Sequence, residues 1–125
     1  MIEEQFVSFG TAKMLKEAGF RELTKTHYSN IGQVWETALP ADYNDDFNCN
    51  TCNRPTQALA ARWLREVHSI MVIPFFDDDM EQWYYVIDGV TKESGIECVQ
   101  SASDYDSYEE ALEAGLKHGL ELVKK

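Results

Sequence analysis

Residues 54–68, RPTQALAARWLREVH, and residues 107–123, SYEEALEAGLKHGLELV, are amphipathic at helical spacing and bracket three short runs of strand character. Those runs are IMVIPFF (residues 70–76), QWYYVI (82–87) and GIECVQ (95–100). In the first helix Pro55 suits the opening position, and Leu59, Ala60, Trp63, Leu64 and Val67 recur on one face. The first strand is apolar on both alternating faces, which predicts a covered strand, and Pro74 assigns it to an edge or a bulge. The acidic turn Asp77-Asp78-Asp79-Met80-Glu81 makes the first two strands a hairpin.

The last helix carries a capping box, Ser107 followed three residues on by Glu110, ahead of the stripe Tyr108, Ala111, Leu112, Gly115, Leu116, Gly119, Leu120 and Val123. Two glycines one turn apart each sacrifice about 1 kcal/mol of helix propensity, so close approach to a sheet is the expected compensation. Acidic residues in the first turn, with Lys124 and Lys125 at the end, suit the helix dipole.

Upstream, Ser8 and Gly19 mark the two ends of a short helix with Ala12, Leu15 and Phe20 on its buried side. Strands are expected near Thr26-His27-Tyr28 and from Gln33 to Ala38, with Asn30 and Gly32 between them as a hairpin turn. The Asn- and Asp-rich segment 40–53 reads as a long loop. The whole is expected to be a single α+β domain over residues 1–125, with an N-terminal helix and hairpin in 1–53 and a helix, three strands, helix core in 54–125. Its mainly antiparallel sheet has three to five strands and packs helices on one face.

The chain has 125 residues, 44% of them hydrophobic, enough to form a core without metals or disulfides. It holds 22 acidic and 11 basic side chains, a net charge of -11. Residues 1–53 contribute -4 (4 basic, 8 acidic) and residues 54–125 contribute -7 (7 basic, 14 acidic). Neither part is a basic module, so direct nucleic-acid binding and binding to anionic lipid are disfavoured. No run reaches the length of a bilayer span, the start lacks a basic-then-apolar leader, and a cytoplasmic location is expected. Three cysteines at irregular positions do not form a secreted disulfide framework.

Four features of the sequence bear on chemistry. Cys49 and Cys52 have C-x-x-C spacing, half of a zinc site or a dithiol, but Cys98, His27, His68 and His118 offer no paired metal spacing. Asp77, Asp78, Asp79 and Glu81 offer hard oxygen ligands without the spacing or glycine of a calcium loop. They read as a solvated turn that also discourages edge aggregation. His68 and His118 lack a Ser, Cys or Asp partner at diagnostic spacing. Trp83, Tyr84 and Tyr85 put aromatics on both faces of a strand, as core or as a partner interface rather than as a base-stacking platform. The sequence therefore assigns no catalytic residue and no cofactor. Asp77, Asp78, Asp79, Glu81, Trp83 and Tyr85 are the candidates for partner contact. An edge at Pro74 or a surface aromatic strand permits a homodimer.

Two resemblances add to this. Val7-Ser8-Phe9, Ala12-Lys13, Leu15-Lys16, Gly19-Phe20, Pro55 to Leu59, Trp63 to His68 and Tyr108 to Leu116 resemble an uncharacterised family of small proteins of prophages and mobile elements in gut bacteria. That resemblance implies a mobile-element origin and carries no activity. From Ile70 to about Leu122, a hairpin and third strand leading into Ser107-Tyr108-Glu109-Glu110-Ala111-Leu112 resemble antitoxins of the HicB type, without that family's Gly-rich turn and Pro-Asp-Leu-Pro-Gly-Cys segment. The element order is also that of double-stranded RNA-binding domains. Glu109, Glu110 and Glu113 stand where such a domain presents lysines, which argues against RNA. The expected function is a non-enzymatic protein-binding module. The alternative is an acidic inhibitor or antitoxin covering the nucleic-acid-binding surface of a toxin or host defence protein. An enzyme ranks third.

Overall fold

The computed structural model describes residues 2–44 and 51–123. Its elements in order are α1 (Phe9–Glu17), β1 (Thr24–Tyr28), β2 (Val34–Ala41), β3 (Cys52–Asn53), α2 (Gln57–His68), β4 (Ile70–Asp77), β5 (Gln82–Gly89), a 3-10 turn at Lys92–Ser94, β6 (Val99–Gln100) and α3 (Tyr108–Glu121). The class is α+β, with two antiparallel three-stranded sheets ordered β2-β1-β3 and β4-β5-β6. The chain forms two compact units, Met1–Thr56 and Gln57–Lys125.

In the N-terminal unit, Ser8 Oγ accepts from the Thr11 amide at the start of α1, while Gly19 adopts φ +98° just past its end. The Phe20 amide then returns to the Leu15 carbonyl, so Leu15 and Phe20 are both buried. The β1–β2 hairpin turns at Gly32, φ +81°, and β2 runs on through Pro40 and Ala41 rather than stopping at Ala38. Residues 40–53 are accordingly not one loop, because Cys52 and Asn53 pair with Tyr28 and His27. Pro55 is not in α2. Its carbonyl accepts from the Val7 amide, and the neighbouring Thr56 bridges to Phe6, so the chain stays extended until Gln57.

In the C-terminal unit, α3 and α2 pack on one face of the β4–β5 hairpin. Ile70, Val72, Tyr85 and Ile87 from the sheet meet Leu64, Leu112, Leu116 and Leu120 from the helices, each such leucine worth roughly 1.5–3 kcal/mol of burial. A side-chain carbon at Gly115 would stand 2.4 Å from Val72 Cγ1 and 3.1 Å from the Tyr85 ring, so the helix lies on the sheet where the glycines notch it. The covering of β4 is one-sided, against expectation. Ile73 and Phe75, on the face away from α3, are 40% and 43% exposed, because all the helical cover of this unit is on the other face. Pro74 is on an edge strand as expected. Of the run 95–100 only Val99–Gln100 is strand, since the 3-10 turn and Gly95 at φ +72° use the residues before it. Val67 is 58% exposed rather than buried.

Candidate functional site

The β4–β5 turn is built by its first carboxylate. Asp77 accepts from the amides of Asp79 (3.1 Å) and Met80 (3.3 Å) and from the Ser103 hydroxyl (2.9 Å). These donors, Ser103 foremost, hold its carboxyl below the usual range. Glu81 takes φ +52° to close the hairpin. Asp77 is thus committed to turn structure, while Asp78, Asp79 and Glu81 point their charge at solvent.

A second acidic segment is fastened to the same end. Trp83 and Tyr105 exchange backbone hydrogen bonds of 2.8 and 3.2 Å, and Gln82 donates to Asp106 at 3.2 Å. The Asp106 amide donates to Glu110 at 3.0 Å, and Ser107 caps the Glu110 amide at 3.1 Å, which orients the first turn of α3 beside the hairpin. The capping box is therefore shifted, with Glu110 reaching one residue upstream of the cap. Asp104, Asp106, Glu109 and Glu110 join Asp78, Asp79 and Glu81 as exposed carboxylates. The segments that build this end, residues 76–85 and 101–113, contain no lysine or arginine.

Aromatic side chains are set among these charges. Phe76 meets Trp83 edge-on at 5.3 Å, and Trp83 meets Tyr108 edge-on at 5.6 Å. On the other sheet face Phe75 stacks on Tyr84 at 5.6 Å. Phe75, Phe76 and Tyr108 remain 43%, 48% and 45% exposed. The edge-to-face rings of Phe76, Trp83 and Tyr108 form one apolar surface on the α3 side of the hairpin, and such rings orient one another at low entropic cost.

The structure thus brings together five of the six residues singled out for partner contact: Asp77, Asp78, Asp79, Glu81 and Trp83. Tyr85 is not on that surface. It is 8% exposed beneath α3, where burial first, then Tyr105 and Glu121, push its phenol up. Its hydroxyl and His118 Nδ1 lie 2.8 Å apart, a tie between β5 and α3 that sequence spacing could not reveal. Phe75, Phe76 and Tyr108 were missed as surface residues because apolar character alone assigns them to the core.

Cys52 is 3% exposed in β3, and burial pushes its thiol up despite Lys16 and Lys13 nearby, which makes it a poor nucleophile. Cys49, the other half of the C-x-x-C pair, lies outside the described residues. Among the described residues no three His, Cys, Asp or Glu side chains converge as metal ligands. An open cavity of about 220 Å³ at the C-terminal ends of α2 and α3 is lined by Val67, Ile96, Leu122 and their neighbours, with His68 its single titratable side chain. No helix among the described residues is long and apolar enough to cross a membrane. No protein-family model, curated protein or solved structure matches this chain.

Proposed function

We propose that the chain is a non-enzymatic protein-binding module of a phage-like mobile element, which engages its partner through the acidic, aromatic end of the C-terminal unit. The supporting observation is the exposure of Phe76 and Tyr108 on either side of Trp83, inside a frame of carboxylates with no cation in the segments that form it. Aromatic anchors surrounded by a charged rim are the usual distribution of binding energy at protein interfaces. The partner fitting this end has an apolar centre and a cationic rim. Full-length protein captured from its native host with its partner is expected to lose that partner on Phe76→Ala, and to bind it at least about tenfold more weakly on Asp78→Lys. Retention of the partner by Phe76→Ala would reject the reading.

The same uncompensated carboxylates favour a second reading, in which the partner's cationic surface is one that otherwise holds nucleic acid. Salt separates the two. A contact centred on the aromatics persists when the Debye length shrinks from about 8 Å to 3 Å at 1 M salt, whereas charge mimicry releases its partner and is displaced by DNA or RNA.

A further inference from the structure

Two half-exposed rings and the tryptophan between them make an open corner at the acidic end of the C-terminal unit. Phe76 stands at 61° to Trp83 and Tyr108 at 86°, with ring centroids 5.3 and 5.6 Å away. The backbone fixes this row. Phe76 is the register partner of Trp83, Trp83 is bridged on its other side to Tyr105, and Tyr108 opens the first turn of α3. Each flanking ring gives one side to Trp83 and keeps 48% or 45% of its surface in solvent.

Rings of the N-terminal unit carry cations of their own. The Arg54 guanidinium lies 4.0 Å from the Phe6 centroid and 5.6 Å from that of Tyr28, and Lys13 Nζ lies 4.6 Å from that of Phe9. A ring face attracts a cation within about 6 Å. Among the described residues no lysine or arginine lies over Phe76, Trp83 or Tyr108, and the segments around them supply none. Exposed carboxylates stand beside these rings instead: Asp106 accepts from Gln82 next to Trp83, and Glu109 follows Tyr108. The corner is therefore negative from two sources, the ring faces and the carboxylates.

Taking the protein-binding reading above as its premise, we propose that the centre of the contact is an arginine side chain of the partner, stacked in the corner made by Phe76, Trp83 and Tyr108. A guanidinium is planar and weakly hydrated, so it lies flat on a ring while the N–H groups at its edge donate to the surrounding carboxylates. The lysine ammonium is a strongly hydrated point charge, which pairs with the carboxylates and gains less from the rings. A quaternary ammonium has no N–H to give the carboxylates. The combination of open ring faces and carboxylates selects the guanidinium.

Acetylated, amidated hexa-arginine and hexa-lysine carry equal charge, so the difference between them isolates the guanidinium. In calorimetric titration of the full chain at low ionic strength, hexa-arginine is expected to bind at least about threefold more tightly, the change that one exposed cation–π contact brings. Tyr108→Leu is expected to lower that ratio with hexa-lysine binding unchanged, because every carboxylate remains. Tyr84→Leu, on the other sheet face, is expected to keep it. Equal affinity for the two peptides, no binding of either, or an undiminished arginine preference in folded Tyr108→Leu overturns the inference. If Tyr108→Leu fails to fold, the Trp83 indole N–H resonance of the parent decides, since it must shift with hexa-arginine more than with hexa-lysine. A native partner lost on Phe76→Ala together with equal peptide affinities keeps the protein-binding reading and rejects the arginine alone. A partner retained by Phe76→Ala rejects both.

Discussion

Gly115 and Gly119 differ in a way that neither sequence position nor helix propensity discloses. A carbon added at Gly115 would meet Val72 at 2.4 Å, but at Gly119 the nearest approach is 3.2 Å to the other methyl of Val72. Gly115→Ala is expected to destabilise the protein by about 1–3 kcal/mol in urea unfolding, and Gly119→Ala by less, since a small shift offsets it against the helix propensity gained. His27 supplies a second residue-scale test. Its ring stacks on Tyr43 at 3.8 Å, its Nδ1 has no hydrogen-bond partner among the described residues, and burial lowers its pKa. The unfolded chain then takes up a proton before the folded one, so stability is full above about pH 6.5 and is lost as pH falls through the folded value. His27→Phe keeps the stacking without the titration. Its unfolding free energy is expected to vary less between pH 7 and pH 5 than that of the parent, and equal slopes would contradict the assignment.

At the scale of elements, both ends of α1 and the start of α3 were legible because caps are local: Ser8, Gly19 and Ser107 act within a few residues of themselves. Ser107→Ala is expected to cost about 1 kcal/mol, read as a shift of the urea midpoint without a change of slope. Less legible was β3. Asn53 is fully buried, donates to the Glu22 carbonyl and to Asp42, accepts from the Tyr43 amide, and has its own amide bonded to Asn44. A sequence so rich in Asn and Asp reads as loop because those side chains usually serve turns. Here the Asn44 side chain accepts from the amide of Asn53 in a short buried strand, and the Asn53 side chain in turn bonds the backbone of Tyr43 and Glu22, partners 9 to 31 residues away that determine the arrangement. The acidic turn was legible as a turn, but its alliance with the segment before α3 depends on the Trp83–Tyr105 bridge.

For the molecule as a whole, the C-terminal unit has its own core in Leu64, Ile70, Val72, Ile87, Leu116 and Leu120. Residues 57–125 made alone are expected to unfold cooperatively in urea, with the small margin typical of domains near that size. A broad, featureless transition would show that the unit depends on the rest of the chain. By itself the sequence determined the α+β class, the order of the helix, three strands, helix segment at the C-terminal side, the tight seat of α3 and the acidic character of the surface. Periodicity, caps, glycine spacing and charge are properties of neighbouring residues and survive without coordinates. Only the tertiary structure decided that β1, β2 and β3 form a separate sheet, that one face of β4 is open, and that aromatics and carboxylates share one end. Those depend on which distant segments exchange hydrogen bonds and which faces run out of partners to cover them.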